Sequence, residues 1–327
     1  MRIAVTGSIA NDYLMRFPGR FSELIIADQL DRLSLSFLVD ELEVRRGGVA
    51  ANICFGMAQL GLRPVLVGAA GHDFADYRAW LERHGVDAHS VHISDLKHTA
   101  RFHCTTDIDN RQIASFYAGA MEEARLIELA PVVERLGGID LVVISPNDPH
   151  AMLRHTDEVR RAGIAFVADP SQQLARMAGP EIRRLVDGAA YLITNDYERT
   201  ILESKTGWSH AEVLARVGVC VTTHGPKGCE IETAGRPALH VPACPENEVV
   251  DPTGVGDGFR AGFLTAHAWG LTPQRSAQTG SLLATLVLES VGTQQYVVEP
   301  NAFLERLARA YGQDAADDVA PHIATGV

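Results

Sequence analysis

Cysteine is scarce in this chain, and what there is cannot brace it. The five cysteines (Cys54, Cys104, Cys220, Cys229, Cys244) form no C-x-x-C pair and are odd in number. That spacing argues against a disulfide framework or a structural zinc site and predicts reduced thiols in the cytoplasm. Long apolar runs are lacking as well. The longest, around Leu282 to Leu288, is far too short to cross a bilayer, and no signal-like segment precedes Asp12, so a soluble protein without a membrane partner is expected. Positive charge is in deficit, with a formal net charge of −12, which works against binding a nucleic acid through a basic face. Any phosphate-bearing substrate must then be gripped by local donors and a metal. The first apolar run ends at Gly7-Ser8 without G-x-G-x-x-G, and Gly225-Pro226-Lys227-Gly228 does not satisfy the Walker pattern. Metalloprotease H-E-x-x-H, hydrolase G-x-S-x-G and protein-kinase H-R-D motifs are absent too.

What is present is a regular alternation of short apolar runs and amphipathic stretches. Leu141–Ile144, Ile164–Ala168, Tyr191–Thr194 and Val219–Thr222 read as buried strands, as do Ile3–Gly7 and Pro64–Val67. Helical stripes lie between them, and the pattern predicts a mostly parallel sheet covered on both faces. Two segments break the rhythm. Leu33 to Val39 alternates as a strand, and Phe102–Thr106 with Gln112–Phe116 reads as a hairpin turning at Asp109-Asn110. Together they predict a small separate sheet with one face free to act as a lid. Helices are expected over Phe74–His84, His150–Ala162, Asp257–Trp269, Ser276–Leu288 and Asn301–Tyr311, and a loosely held tail over Gln313–Val327.

The chemistry concentrates in Asp251-Pro252-Thr253-Gly254-Val255-Gly256-Asp257, followed by the helical stripe Phe259, Gly262, Phe263, Ala266. Gly254 and Gly256 lack Cβ, so their amides can converge on an anion at a helix start. A carboxylate there would repel phosphate unless it takes a proton from a hydroxyl attacking that phosphate; otherwise Asp257 is simply a first-turn cap. Gly47-Gly48 opens a helix with Asn52 in its first turn, either a grip for a polyol or an incidental polar residue. Asn195-Asp196-Tyr197-Glu198 offers carboxylates for hydrated Mg²⁺, or a helix cap. Ser8, Asp12, Asp169 to Gln173, Asn195 to Glu198, and Thr223 with Gly225 and Gly228 all follow strands, on the edge where open α/β sheets bind ligands.

Three of these segments in order resemble the ribokinase-like (PfkB-type) kinases: Arg46-Gly47-Gly48-Val49-Ala50-Ala51-Asn52, Asn195-Asp196-Tyr197-Glu198 and Asp251 to Asp257. The resemblance runs from about Met1 to Tyr311 and implies a doubly wound, mostly parallel α/β sheet flanked by helices, with a small β lid. It places residues 1–12, 47–98 and 118–327 in the nucleotide-binding core and 13–46 and 99–117 in the lid. It further implies transfer of the γ-phosphate of ATP to a primary hydroxyl of a sugar or nucleoside. Asp257 would be the general base, and Gly254, Val255 and Gly256 the anion hole. Glu198 would act on Mg²⁺ through water, while Asn195, Thr223, Gly225, Gly228, Thr253 and Gly256 would hold ATP. Asp251, with the backbone near Gly292, marks the position of a monovalent cation such as K⁺. Pro252 and Gly258 stand where many relatives have Thr and Ala; Gly258 is expected to weaken the helix start slightly. Segments Met15–Phe21, Ala168–Arg176 and Thr194–Glu198 are most similar to the actinobacterial (mycobacterial-type) adenosine kinases within the family, which implies a homodimer formed lid to lid.

A flat base is favoured over a bare sugar by Phe102 and Phe116 on the hairpin, since stacking contributes about 1–3 kcal/mol per base; lid packing alone is the other explanation for them. Gln172 and Gln173 suit a purine edge, and Asp12 and Asn52 the ribose hydroxyls. Ser8, Ser36 and Gly48 complete the nucleoside pocket in the resemblance. Adenosine is thus the expected acceptor. An inosine/guanosine kinase, a ribokinase- or fructokinase-type sugar kinase, and a nucleotide-binding protein without activity remain the alternatives.

Overall fold

The computed structural model describes residues 1–24 and 35–323. Strands and helices are numbered in chain order. Nine strands form the large sheet: β1 (Ile3–Thr6), β4 (Val65–Gly71), β5 (Asp87–Ser94), β8 (Leu141–Ile144), β9 (Ala165–Ala168), β10 (Tyr191–Asn195), β11 (Val219–Thr223), β12 (Cys229–Glu232) and β13 (Leu239–Val241). Four more form a small sheet: β2 (Ala10–Arg16), β3 (Glu41–Gly47), β6 (Ala100–Thr106) and β7 (Gln112–Tyr117). The helices of the first half are α1 (Phe21–Leu24), α2 (Val49–Gln59), α3 (Ala75–Arg83), α4 (Ala130–Leu136), α5 (Pro149–Ala162) and α6 (Gly179–Val186). The second half adds α7 (Asp196–Thr206), α8 (His210–Leu214), α9 (Val255–Ala268), α10 (Pro273–Leu288), α11 (Pro300–Tyr311) and α12 (Gln313–Val319).

The large sheet runs β13-β12-β11-β10-β9-β8-β1-β4-β5, and β1 pairs in parallel with both β4 and β8. Strand order therefore reverses beside β1, which opens a crevice at the carboxyl ends of the strands. Within this sheet the antiparallel pairs are β11 with β12 and β12 with β13, closing one edge. The apolar runs of β1, β8 and β9 need cover on two sides. One side buries Ile53, Phe55, Phe263, Leu283 and Leu307 from α2, α9, α10 and α11, and the other Met152, Ile182, Leu185, Leu202 and Val213 from α5 to α8. Among the described residues no helix is long and apolar enough to cross a membrane.

Three expectations need correction. The strand leading into Gly47-Gly48 is Glu41–Gly47, while 35–40 is irregular; Leu33 and Ser34 lie outside the described residues. Leu35, Phe37 and Val39 are half-buried and alternate with exposed neighbours, but they find no ladder partner among the described residues, so period alone misled. The small sheet also begins at Ala10, so Asp12 belongs to the lid and not to the core. Lastly, the stretch after Tyr311 is not loose throughout. In α12, Ala315 and Val319 are fully buried, and Arg275 holds Asp314 and Asp318 from α10.

Candidate active site

The lid is hung on glycines. Gly48, the N-cap of α2, has φ +95, and a Cβ there would lie 2.6 Å from the Ser8 carbonyl and 2.7 Å from the Ala10 amide nitrogen. Only glycine allows strand β3 to turn into α2 against the exit of β1. Ser8 Oγ accepts the Val49 amide at 3.0 Å, satisfying one free donor of that helix start.

Register aligns the lid residues. Arg45, Asp12, Phe102 and Phe116 are direct partners across β3, β2, β6 and β7, so their side chains share one face. Arg45 Nη1 donates to Asp251 Oδ2 at 2.9 Å, which turns this face toward the glycine turn. Phe102 is partly covered, and Phe116 stands half exposed at the rim. Burial pushes the Asp12 carboxyl up to about 6, with Arg45 opposing and Asp251 adding to the shift.

Gly254 takes φ +79, and a Cβ there would meet Thr293 Cγ2 at 2.6 Å. It caps α9, whose first turn carries Asp257. Asp257 Oδ2 accepts Asn52 Nδ2 at 2.9 Å. Asn52 Oδ1 in turn lies 2.9 Å from Gln294 Nε2 and 2.9 Å from Thr293 Oγ1. Gln294 spends its other amide hydrogen on Tyr77 Oη, and Tyr77 donates to the Gly47 carbonyl at 2.8 Å. The Gln294 donor fixes the Asn52 amide with its NH₂ toward Asp257, so Asn52 orients the carboxylate. Burial raises the Asp257 carboxyl to about 6, against the pull of Arg260 and the Asn52 bond. A carboxylate with that pKa is charged at neutral pH yet basic enough to share a proton.

Beside the turn lies a cavity of about 490 Å³, lined by Asn195, Thr223, Gly225, Gly228 and Gly256 together with apolar Val249, Phe259, Ala284 and Leu288. Those first five residues are the ATP contacts implied by resemblance. Thr253 is outside the lining, and its amide donates to Asp251 Oδ1 at 2.9 Å. Asn195 and Glu198 form a reciprocal capping box at the start of α7, so the N-x-x-E spacing first serves the helix. Glu198 Oε1 accepts Ser171 Oγ at 3.2 Å, and this carboxylate edge fits an outer-sphere part toward Mg²⁺, a cation that keeps most of its waters. Asp251 does not fit a monovalent cation: its oxygens accept Thr253 N–H, Gly292 N–H and the Arg45 guanidinium.

Gln173 is buried and donates Nε2 to the Asn147 carbonyl at 2.8 Å, while Gln172 is exposed. Gln173 Oε1 and Asn147 Nδ2 are a buried acceptor and donor without protein partners among the described residues. Ser36 is exposed on the irregular segment and is not brought to this cluster. Gly258 is no weak point either. A Cβ there would strike Val287 Cγ2 at 2.8 Å, and one on Gly262 would strike the Gly280 Cα at 2.8 Å, so these glycines let α9 and α10 cross closely. Tyr77, Thr293, Gln294, Asn147 and Arg260 escaped the sequence reading. Only Arg260 carried a usable signal, three residues after Asp257 on the same helix.

A doubly wound core, a β lid and an aspartate behind a glycine turn define a phosphotransferase architecture. The chain belongs to the pfkB family of carbohydrate kinases, whose sequence pattern matches residues 10–300. More particularly, it is similar to the nucleoside kinase of Burkholderia thailandensis in complex with inosine, at 32% identity and TM-score 0.82, covering 95% of this chain and 98% of that one. The same enzyme in complex with ADP-inosine gives 33% identity and TM-score 0.81, over 95% of this chain and 96% of that one. The nucleoside kinase of Methanothermobacter thermautotrophicus is 29% identical over 297 residues, 90% of this chain and 94% of that one. These relatives are nucleoside kinases in general, so the narrower likeness to actinobacterial adenosine kinases enters only as a proposal.

Proposed function

We propose that this protein is an adenosine kinase of the cytoplasm, transferring the γ-phosphoryl group of ATP to the nucleoside 5′-hydroxyl. The reading rests on the placement of Asp257, tied to α2 on the lid side while Val255 and Gly256 line the adjoining cavity. Asp257 takes the proton of the attacking hydroxyl, and the amides of the 254–256 turn receive the developing charge. ATP sits in the cavity with its base among the apolar side chains, and Mg²⁺, served by Glu198, neutralises phosphate charge when bound. The nucleoside lies under the lid row, with Phe102 on its base and Asp12 toward its ribose.

The buried pair of Gln173 Oε1 and Asn147 Nδ2 supports a purine edge. Adenine can give its 6-amino hydrogen to Gln173 and accept at N1 from Asn147. Hypoxanthine can do the same with N1–H and O6, and the relative bound to inosine favours that second reading. ADP formation with adenosine, inosine, guanosine, ribose and fructose in parallel separates them. Turnover of ribose or fructose at rates matching the nucleosides would end the nucleoside reading. Asp257→Asn should lower kcat by about 10²–10⁴-fold with nucleoside binding retained; near-normal turnover would return Asp257 to a cap.

The opposite face of the lid carries Tyr13, Leu42, Val44, Ile113 and Tyr117, most of them well exposed. Arg46, Arg101 and His103 share this face, which is therefore mixed; its exposed apolar side chains suit burial against a second copy, and a homodimer through the lid is part of this reading.

A further inference from the structure

One buried cation lies among the carboxylates of the site. Arg260 is 7% exposed, and its Nη2 lies 2.7 Å from Asp169 Oδ1 and 3.9 Å from Glu198 Oε2. Asp169 is fully buried at the end of β9. Above the guanidinium sits the anion-hole turn: a Cβ on Gly256 would fall 2.8 Å from Arg260 Nη1. Gly256 is thus bare on two counts, toward the phosphate and toward the arginine. The groups facing Asp257 are Asn52 from α2, Glu198 from α7, Asp169 after β9, Arg260 on its own helix and Tyr296 beyond α10. Among the described residues, these three carboxylates share the space with one positively charged side chain, Arg260. Without it, like charges in a desolvated site drive one of them to take up a proton.

We propose that Arg260 is a positioning residue for phosphoryl transfer: its guanidinium, clamped by Asp169 beneath Gly256, is the fixed countercharge that lets Asp257 act as base beside Glu198. This deepens the reading of Asp257 as base and rests on it. Arginine suits the task because its fork reaches Asp169 and the underside of the turn at once, and it does not lose its proton in a buried site. Among the described residues its Nε and both Asp169 oxygens are buried without a well-aligned hydrogen-bond partner, so the 2.7 Å contact of Nη2 with Asp169 acts as an ion pair, through charge and shape.

The test is the pH dependence of kcat/KM for wild type, Asp257→Asn, Arg260→Met, Arg260→Lys and Asp169→Asn, with thermal melts confirming folding. Arg260→Met should move the acid limb to higher pH by about one to two units, cut activity at neutral pH by about two- to tenfold, and recover much of it in alkali. Arg260→Lys should shift it less. Burial pushes the Asp169 carboxyl up to about 7, against the pull of Arg260, so Asp169→Asn removes only part of a negative charge at the acid limb and should lower it by less than Arg260→Met raises it. A limb unmoved in folded Arg260→Met overturns the proposal; should that variant not fold, Arg260→Gln, which also removes the charge, is read in its place, and an unmoved limb there overturns it. An active Asp257→Asn that keeps the limb would refute the base itself, a distinct result.

Discussion

Replacing Asn52 with leucine separates two roles that sequence alone cannot tell apart. Leucine keeps the branched outline but removes the donor to Asp257 and the acceptor facing Gln294 and Thr293. A hydrogen bond to a charged group contributes about 1.5–3 kcal/mol, which corresponds to about one to two pKa units for the partner. The Asp257 carboxyl, raised to about 6 in the intact site, should then titrate at roughly 7 to 8. The sign follows from which form works. The base must be unprotonated, so raising its pKa removes activity on the acid side and leaves the alkaline side intact. At neutral pH the ionised fraction falls from about nine-tenths to between roughly a half and a tenth, a two- to tenfold loss in kcat/KM. A coupled ADP-release assay from pH 5 to pH 9.5 measures it. Any deficit that persists in alkali reports misorientation of the carboxylate, because ionisation is then complete. If Asn52 instead grips ribose, the variant raises KM at every pH and leaves the acid limb where it was; that outcome would refute the orienting role.

Phe102→Ala should raise the KM for the nucleoside by about 5- to 150-fold through lost stacking, with kcat little changed; an unchanged KM would reduce Phe102 to lid packing. Val44→Glu, on the far face of the lid, should shift sedimentation from dimer to monomer, and a wild type that already sediments as a monomer removes the homodimer from the account. Val319→Asp buries an unpaired carboxyl in a fully enclosed position and should cost about 3 kcal/mol or more in chemical denaturation. A loss below about 0.5 kcal/mol, the range of surface substitutions, would mean that α12 is not held against the core.

The core was legible because its signal is local. Continuous apolar strands such as Leu141–Ile144 report themselves through composition. The lid was legible only in its hairpin, where Asn110 at φ +59 marks the turn. Strand β2 was missed because Asn11, Asp12 and Tyr13 carry no clear alternation, both faces of that strand being only half covered. At the site, the glycine turn and Asp257 stood out because few other folds need that order of residues. The support behind them did not. Tyr77, Gln294 and Asn52 lie far apart in the chain, and only the tertiary fold joins a phenol, two amides and a carboxylate into one line.

The close crossing of α9 and α10 has a consequence for anyone re-engineering donor preference. Ala284 lines the cavity proposed for ATP, and its Cα lies 3.3 Å from where a side chain on Gly258 would begin. Gly258 directly follows Asp257. Enlarging residue 284 to exclude adenine, or reshaping α10 to admit a bulkier cosubstrate, therefore pushes on the very turn that aims the base. On the proposed assignment, donor choice and acceptor chemistry are geared together through these close contacts of Gly258 with α10, and altering one without the other calls for compensating changes on both helices.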